Sequence, residues 1–271
     1  MFDSGFGGLT VARAVIDLLP TQALVYVGDT GRYPYGPRPL EEVRDFALQI
    51  GSWLVDQHQV EVVVVACNTA SAAALDELAD RLGVPVIGVI DPGVRAMLSA
   101  TRSGHVGVIG TVGTISSGAY QRTVARMTDD VKLTCAACPG FVEFVERGDL
   151  RGDQVHVLAE RLLAPLQDAG VDTLLLGCTH YPFLARTIAD VMGRDVVLVS
   201  SADETAFALA AELEPVPTTD PTSGGTAPVA RHRWFSSGDL GWFQSLGRQL
   251  LGPELDQAEA LVWETSPAPR P

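Results

Sequence analysis

The amino-acid sequence predicts an α/β protein of two pseudo-symmetric, three-layer α/β domains with mostly parallel sheets and an active site in the interdomain cleft. Three observations favour this fold class. An apolar run that ends in a cysteine occurs twice, at Cys67 and at Cys178. Each copy continues with a helical pattern, a glycine and a second apolar run. A glycine-containing turn, near Asp3 in one half and near Thr111 in the other, precedes each copy at a similar distance.

The two repeated segments predict buried strands that each deliver a thiol. Residues 60–66 and 171–177 are rich in Val and Leu. Apolar runs of this length suit the strands of a parallel sheet better than they suit helices. Cys67 and Cys178 are therefore expected just beyond the carboxyl ends of their strands, where open α/β sheets bind ligands.

The composition limits the classes of function. The 271 residues suit one or two domains, and the net charge of -14, from 19 basic and 33 acidic residues, disfavours binding to nucleic acid or to an anionic membrane. The one lysine, Lys132, stands in a polar stretch, which argues against a Schiff base with pyridoxal phosphate. No apolar run has the length of a membrane span and no secretory signal is evident, so a cytoplasmic protein with free thiols is expected.

Local patterns predict the other elements of the first half. Only two residues precede the glycine-rich loop at residues 3–8, which leaves little room for a first strand. The loop opens a helical pattern over residues 9–19, an arrangement that gathers backbone amides around an anion; a tight turn without a ligand is the alternative. A strand at residues 23–27, a turn-rich loop at 28–37 and a helix at 41–58 follow.

The second half begins at a predicted hinge, Asp91-Pro92-Gly93. The first domain is thus expected to cover residues 1–92 and the second residues 93–205. Periodic patterns predict helices at residues 94–100, 154–169 and 202–213, a strand at 106–109 and a weaker pattern at 234–251. The Pro-, Thr- and Gly-rich residues 214–230 predict a flexible linker, and the tail at 264–271 is expected to be disordered.

Two thiols that face each other across a cleft suit a reaction that removes a proton from one side of a carbon and returns a proton to the other. A helix amino terminus at each cysteine would lower the thiol pKa. Cys67 and Cys178 are therefore expected to alternate as base and acid in a racemisation or epimerisation. The charge that develops on the substrate needs hydrogen-bond donors. Candidates are Ser4, Asn68, Thr69, Thr111, Thr114 and Thr179, with Asp3 available near Cys67 and His180 near Cys178.

The set of motifs resembles that of cofactor-independent glutamate racemases. The motifs are Phe2-Asp3-Ser4-Gly5, Tyr33-Pro34-Tyr35-Gly36, Ala66-Cys67-Asn68-Thr69, Gly110-Thr111 with Thr114, and Leu176-Gly177-Cys178-Thr179-His180-Tyr181-Pro182, in the family's order over residues 1–205. The resemblance implies that Cys67 and Cys178 are the acid/base residues, assisted by Asp3 and His180, with Glu146 as an additional acidic residue. Glutamate is then expected to contact Asp3, Ser4, Tyr35, Gly36, Asn68, Thr69, Thr111, Thr114, Thr179 and His180.

The resemblance has further implications. It implies catalysis without a cofactor, a first domain completed by residues 206–271, and a homodimer that supplies D-glutamate for bacterial peptidoglycan. Some family members are said to inhibit DNA gyrase, so this partner is implied by resemblance only. The chain departs from the family in its short amino terminus and in the Pro- and Thr-rich residues 215–230.

Several alternatives remain open at this point. An aspartate or hydantoin racemase would use the same thiols, although the Tyr33 to Gly36 motif favours glutamate. A non-catalytic amino-acid-binding protein would explain the cleft but not the paired thiols. A zinc protein would need Cys135, Cys138, Cys178 and His180, but Pro139 follows a lone Cys-x-x-Cys pair, so ordinary thiols and no metal site are expected. Taken singly, a buried cysteine is a small core residue, Asp3 could be a helix cap and His180 could be structural.

Overall fold

The protein, described here by a computed structural model over residues 1–213 and 230–263, contains two parallel sheets. The strands of the described ranges are β1 Phe2–Asp3, β2 Val25–Gly28, β3 Val63–Val65, β4 Val86–Gly88, β5 His105–Gly110, β6 Lys132–Ala137, β7 Thr173–Gly177, β8 Val197–Val199, β9 Arg233–Ser236 and β10 Glu259–Ala260. The first sheet has the order β10-β9-β2-β1-β3-β4 and the second the order β6-β5-β7-β8. All paired strands run parallel, as predicted.

Helices connect the strands and cover the sheets. They are α1 Leu9–Leu18, α2 Leu40–His58, α3 Asn68–Arg81, α4 Ile90–Ala100, α5 Val112–Ser116, α6 Ala119–Met127, α7 Phe141–Glu146, α8 Asp153–Asp168, α9 Ala185–Met192, α10 Ala202–Glu212 and α11 Leu240–Leu251, with 3-10 turns at Tyr181–Leu184 and Gly252–Leu255. Helix α2 packs on α3, and α8 packs on α9 and β6. Within the described ranges, no helix has both the length and the apolar character needed to cross a membrane.

The end of the chain contributes to the first sheet. Strand β9 pairs with β2 over Val25 to Gly28, and β10 pairs with β9. Helix α10 packs against α1. The division into residues 1–92 with 206–271 and residues 93–205 stays a prediction, although the sheet composition is compatible with it.

The local structure differs from the sequence-based expectations in several segments, two of which lie around Asp91 and Cys135. The residues of the expected hinge, Asp91 to Gly93, form the first turn of α4, so this helix begins earlier than the predicted residue 94, and the hinge itself stays a prediction. Proline is tolerated there, since an N–H in the first turn has no partner within the helix. The strand β6, which contains Cys135, was missed; it is an edge strand and carries no continuous apolar run.

The predictions for the last part of the chain have mixed outcomes. The weak pattern at residues 234–251 corresponds to β9 followed by α11. The predicted linker lies, except for Ala230, outside the described residues, as does the tail at 264–271.

Both repeated segments fold as expected around a strand. Strand β3 is buried along its length and ends two residues before Cys67, and β7 is buried along its length and ends directly before Cys178. Continuously apolar strands occur where both faces of a parallel sheet are covered. The two cysteines therefore lie at the carboxyl ends of their sheets.

Candidate active site

A cavity lies where the carboxyl ends of the two sheets approach each other. It is narrow, with about 20 Å³ of space for the centre of a water-sized sphere, and Cys67 and Cys178 both line it. Its wall consists of Ser4, Tyr33, Pro34, Tyr35, Gly36, Cys67, Asn68, Thr69, Thr111, Val142, Cys178, Thr179 and His180. The predicted site residues thus meet in one cavity, with the exception of Asp3, Thr114 and Glu146, which lie behind its wall.

Cys67 occupies the N-cap position of α3. The N–H of Ala70 donates a hydrogen bond to its sulfur at 3.5 Å, and its S–H donates to the hydroxyl oxygen of Ser4 at 3.9 Å. The side chain is buried. In this half, the predicted arrangement of strand, thiol and helix is confirmed.

Cys178 precedes a tight turn instead of an α-helix. The N–H of Tyr181 donates to the carbonyl of Cys178 at 3.1 Å, a 3-10 turn follows, and α9 begins only at Ala185. Pro182 has no N–H with which to continue a helical hydrogen-bond pattern. The expectation of an α-helix beginning at the second thiol is therefore wrong.

Burial raises the pKa of both thiols, which overturns the expectation that helix amino termini lower it. For Cys67 the pKa rises to about 12, because burial and the nearby carboxylate of Asp3 outweigh the hydrogen bonds from Ala70 and Ser4. For Cys178 burial again raises the pKa most, against the stabilising N–H groups of His180 and Tyr181. Both thiols are protonated at neutral pH in the unliganded protein.

The raised thiol pKa values predict the behaviour of the free protein in alkaline solution. In a difference titration of thiolate absorbance, wild type against a Cys67→Ser/Cys178→Ser double variant, we expect no thiolate from these residues below about pH 9. Because the unfolded chain releases these protons near pH ~8.5 while the folded protein retains them, the free energy of unfolding should fall as the pH rises above that value. A thiolate that forms below about pH 8 and is lost in the double variant would contradict this electrostatic account.

Asp3 joins the two sides of the site from behind the cavity wall. It is fully buried, and its carboxylate accepts hydrogen bonds from the N–H of Gly5 at 3.0 Å and from the hydroxyl of Thr179 at 3.3 Å. Gly7 lies beside these residues. A Cβ atom added to Gly7 would be only 2.5 Å from the Thr179 hydroxyl oxygen. The loop after β1 and the turn after β7 therefore touch each other directly.

His180 and Glu146 form a second pair on the Cys178 side. The His180 Nε2 atom is 3.0 Å from a carboxylate oxygen of Glu146, the last residue of α7. The imidazole is buried and packs against the Phe6 ring in a T-shaped arrangement, with the ring centroids 4.9 Å apart. Glu146, which sequence reasoning could not separate firmly from Glu143, is thus the residue that contacts the histidine.

On the Cys67 side, Asn68 and Thr69 of the first half form hydrogen bonds with residues of the second half. The hydroxyls of Thr69, Thr111 and Thr114 contact one another at 2.9 to 3.1 Å. The side-chain amide of Asn68 donates to the hydroxyl of Tyr120 at 2.8 Å. Tyr120 was missed in the sequence analysis, because nothing in its local pattern distinguishes it from a core tyrosine.

The loop after β2 supplies a third part of the wall, including groups that sequence reasoning missed. The hydroxyl of Tyr35 donates its proton to Asp29, so that proton is not available to a ligand in the cavity. The Tyr33 hydroxyl is buried and makes no hydrogen bond of good geometry within the described part of the chain; burial and the nearby Glu146 carboxylate raise its pKa. Tyr33 and Pro34 stood inside a quoted motif but were not selected, whereas Val142 gave no signal in the sequence.

The structure gives no support to the zinc alternative. Cys135 lies in β6, and Cys138 follows that strand and is buried. Over residues 1–213 and 230–263, no three His, Cys, Asp or Glu side chains are grouped so that they could hold a metal ion. The four cysteines are free thiols.

Comparison with known proteins identifies relatives over most of the chain. Residues 10–209 match the Asp/Glu/Hydantoin racemase family. A glutamate racemase from Beutenbergia cavernae is 49% identical over 278 residues, which cover 100% of this chain and 94% of that protein.

Solved structures of glutamate racemases also superpose on most of the chain. The crystal structure of a glutamate racemase isoform from Bacillus anthracis superposes with a TM-score of 0.85 at 39% identity, covering 97% of this chain and 96% of the other. Glutamate racemase from Francisella tularensis in complex with D-glutamate superposes with a TM-score of 0.84 at 31% identity, covering 96% and 95% of the two chains.

Proposed function

The chain belongs to the Asp/Glu/Hydantoin racemase family, and we propose that it interconverts L-glutamate and D-glutamate without a cofactor. The observation that carries this proposal is the shared cavity, whose wall contains one thiol from the end of each sheet. The choice of glutamate within the family is supported by the relatives, which are glutamate racemases at about half identity over the full chain.

In the proposed mechanism the two thiols exchange roles. One cysteine, as thiolate, takes the α-proton of the substrate; the electron pair of the broken C–H bond moves toward the α-carboxylate, and the other cysteine donates a proton to the opposite face of the carbon. The protonation states of Cys67 and Cys178 are then reversed, and exchange with solvent resets them. The reverse direction uses the same steps.

Substrate binding has to produce the thiolate, because burial favours the protonated thiols in the free protein. The ammonium group of an amino acid brings a positive charge into the cavity, and an opposite charge nearby lowers the pKa of an acid. At Cys67 the N–H of Ala70 adds a hydrogen bond to the sulfur. Asp3 and His180 assist in this scheme by orienting the groups around each thiol, and Glu146 orients His180.

Hydrogen-bond donors in the wall bind the two carboxylates of glutamate in this proposal. They come from Ser4, the Tyr35–Gly36 backbone, Asn68, Thr69, Thr111, Thr179 and His180, with Thr114 supporting the hydroxyls of Thr69 and Thr111. Donors placed in advance around the substrate stabilise the negative charge that develops as the α-proton leaves. The same family assignment supports a homodimer that acts in the cytoplasm and supplies D-glutamate for peptidoglycan; a contact with DNA gyrase rests on resemblance alone.

The test of the proposed activity is incubation of purified protein with L-glutamate in the absence of any cofactor, followed by polarimetry and by chiral separation of the products. We expect decay of the optical rotation to zero and equal amounts of both enantiomers. Parallel incubation with L-aspartate separates the aspartate alternative. Binding of glutamate without any formation of D-glutamate would support a binding protein and refute the proposal.

Tyr33 provides a more specific prediction. Its buried hydroxyl lies in the cavity wall close to the Glu146 carboxylate but makes no hydrogen bond of good geometry among the described residues, so a substrate carboxylate can accept a hydrogen bond from it. Tyr33→Phe should therefore raise KM for glutamate about 10-fold with a smaller change in kcat. Steady-state kinetics and thermal unfolding of the variant check this prediction. A loss of thermal stability with an unchanged KM would assign the hydroxyl a structural role instead.

A further inference from the structure

Asp29 is a fully buried carboxylate outside the cavity wall. It follows β2 directly, and its N–H donates to the carbonyl of Asp3 at 3.0 Å, so its backbone is fixed to the first strand of the site. A carboxylate in such a position is costly to bury unless charged or polar partners compensate for the lost water. The partners of Asp29 therefore indicate what the residue holds in place.

Both carboxylate oxygens of Asp29 are used by donors from separate parts of the chain. One oxygen accepts from the hydroxyl of Ser237 at 2.6 Å and from the indole N–H of Trp263 at 2.8 Å. The other accepts from the guanidinium Nε of Arg32 at 2.7 Å and from the hydroxyl of Tyr35. With two donors on each oxygen, the carboxylate is well satisfied.

These donors join the cavity wall to the last described segment of the chain. Tyr35 and the following glycine belong to the wall, while Ser237 and Trp263 flank β9 and β10. Neighbouring bonds strengthen the same junction: the N–H of Gly31 donates to the Ser237 hydroxyl at 3.0 Å, and the N–H of Gly238 donates to Thr30 at 2.9 Å.

Trp263 also contacts the cation of this cluster. The guanidinium of Arg32 lies 4.6 Å from the centroid of the Trp263 ring and 4.1 Å from that of Phe46. Replacement of the indole by a phenyl ring would keep an aromatic face for Arg32 and would remove the N–H donor to Asp29. The hydrogen bond can thus be tested apart from the packing.

We infer that Asp29 is a positioning residue for the substrate, and that through it the segment ending at Trp263 holds the Tyr35–Gly36 part of the cavity wall in place. The inference rests on the proposed function, since it assigns this wall to glutamate binding. Asp29 itself touches neither thiol, so its effect should fall on substrate binding more than on proton transfer. The segment around β9 and β10 then belongs to the functional support of the site as well as to the sheet.

Two variants on the donor side test the inference, with one matched control. Trp263→Phe and Ser237→Ala each remove one donor to the carboxylate. Trp234→Phe is the control. Trp234 lies in the same sheet, and its indole N–H donates to the carbonyl of Glu254 at 2.8 Å, but it has no contact with Asp29 or with the cavity. All three proteins are compared with wild type by steady-state kinetics, by calorimetric titration with L-glutamate and by thermal unfolding.

We expect KM and the calorimetric Kd for glutamate to rise about 3-fold to 10-fold in Trp263→Phe and Ser237→Ala, with kcat within about 2-fold of wild type. Trp234→Phe should show the wild-type KM and Kd even where it unfolds at a lower temperature. Equal KM and Kd in all four proteins would overturn the inference. Absence of racemisation in wild type would refute the proposed function, whereas the Kd comparison would still decide the role of Asp29.

Discussion

Cys67→Ser and Cys178→Ser should each lower kcat for glutamate racemisation by about 1000-fold or more. A serine hydroxyl fits the space of the thiol but is a far weaker acid, so it cannot serve as the base on its side of the substrate. Both side chains line one cavity, and the environment of each already disfavours ionisation even of a thiol. A serine hydroxyl in the same place would therefore stay protonated at neutral pH and could not act as the base.

The two serine variants should differ in a way that a structural role would not produce. Each keeps one intact thiol, so each should retain slow exchange of the α-hydrogen of one enantiomer with solvent, and the two variants should prefer opposite enantiomers. Cys135→Ser is the matched control, because Cys135 lies in β6 away from the cavity and should keep wild-type rates. Wild-type activity in either cavity variant would remove the two-base mechanism.

Gly7→Ala should lower kcat/KM by about 100-fold, since a displacement of about 1 Å at a reacting group can have this effect. The new Cβ would be 2.5 Å from the hydroxyl oxygen of Thr179 and 2.7 Å from the His180 Nδ1 atom, and both side chains are buried. Neither can move away without shifting the turn that holds Cys178. The substitution thus forces the two halves of the site apart.

The control for this substitution is Gly241→Ala, at an exposed position of α11 where the nearest atom to a new Cβ is an Asp239 oxygen at 3.3 Å. It should leave kcat/KM unchanged. Kinetics are measured together with thermal unfolding, so that loss of activity is separated from loss of fold. A Gly7→Ala protein with wild-type kcat/KM would show that close contact between the two turns is unnecessary.

The parallel sheets and the place of the two thiols could be predicted because the relevant signals are local. Runs such as residues 62–66 and 174–177 are apolar on both faces of a strand, and a cysteine directly after them has to lie at the sheet's carboxyl edge. The motifs, in their order along the chain, then identified most of the residues that line the cavity. The duplication of the apolar run and its cysteine predicted that Cys67 and Cys178 would lie in one cavity.

The missed features depend on burial and on contacts between distant segments. The pKa of a thiol is set by how much water its surroundings exclude, and the local helix start at Cys67 gives no measure of that. Asp29 acquires its role only when Ser237 and Trp263 reach it, more than two hundred positions along the chain. The partner of Asn68, Tyr120, lies in a helix that no sequence motif connects to the site.

The central claim is that two cysteines act on opposite faces of one carbon, and the isotope content of the first product tests it most directly. L-Glutamate is incubated with the protein in heavy water without a cofactor. At early times the two enantiomers are separated, and the deuterium content of each is measured by mass spectrometry. Two-base catalysis requires D-glutamate that carries one solvent deuterium at the α-carbon while the remaining L-glutamate still carries hydrogen. Early D-glutamate that retains the original hydrogen would show transfer by a single base and would contradict the paired-thiol account.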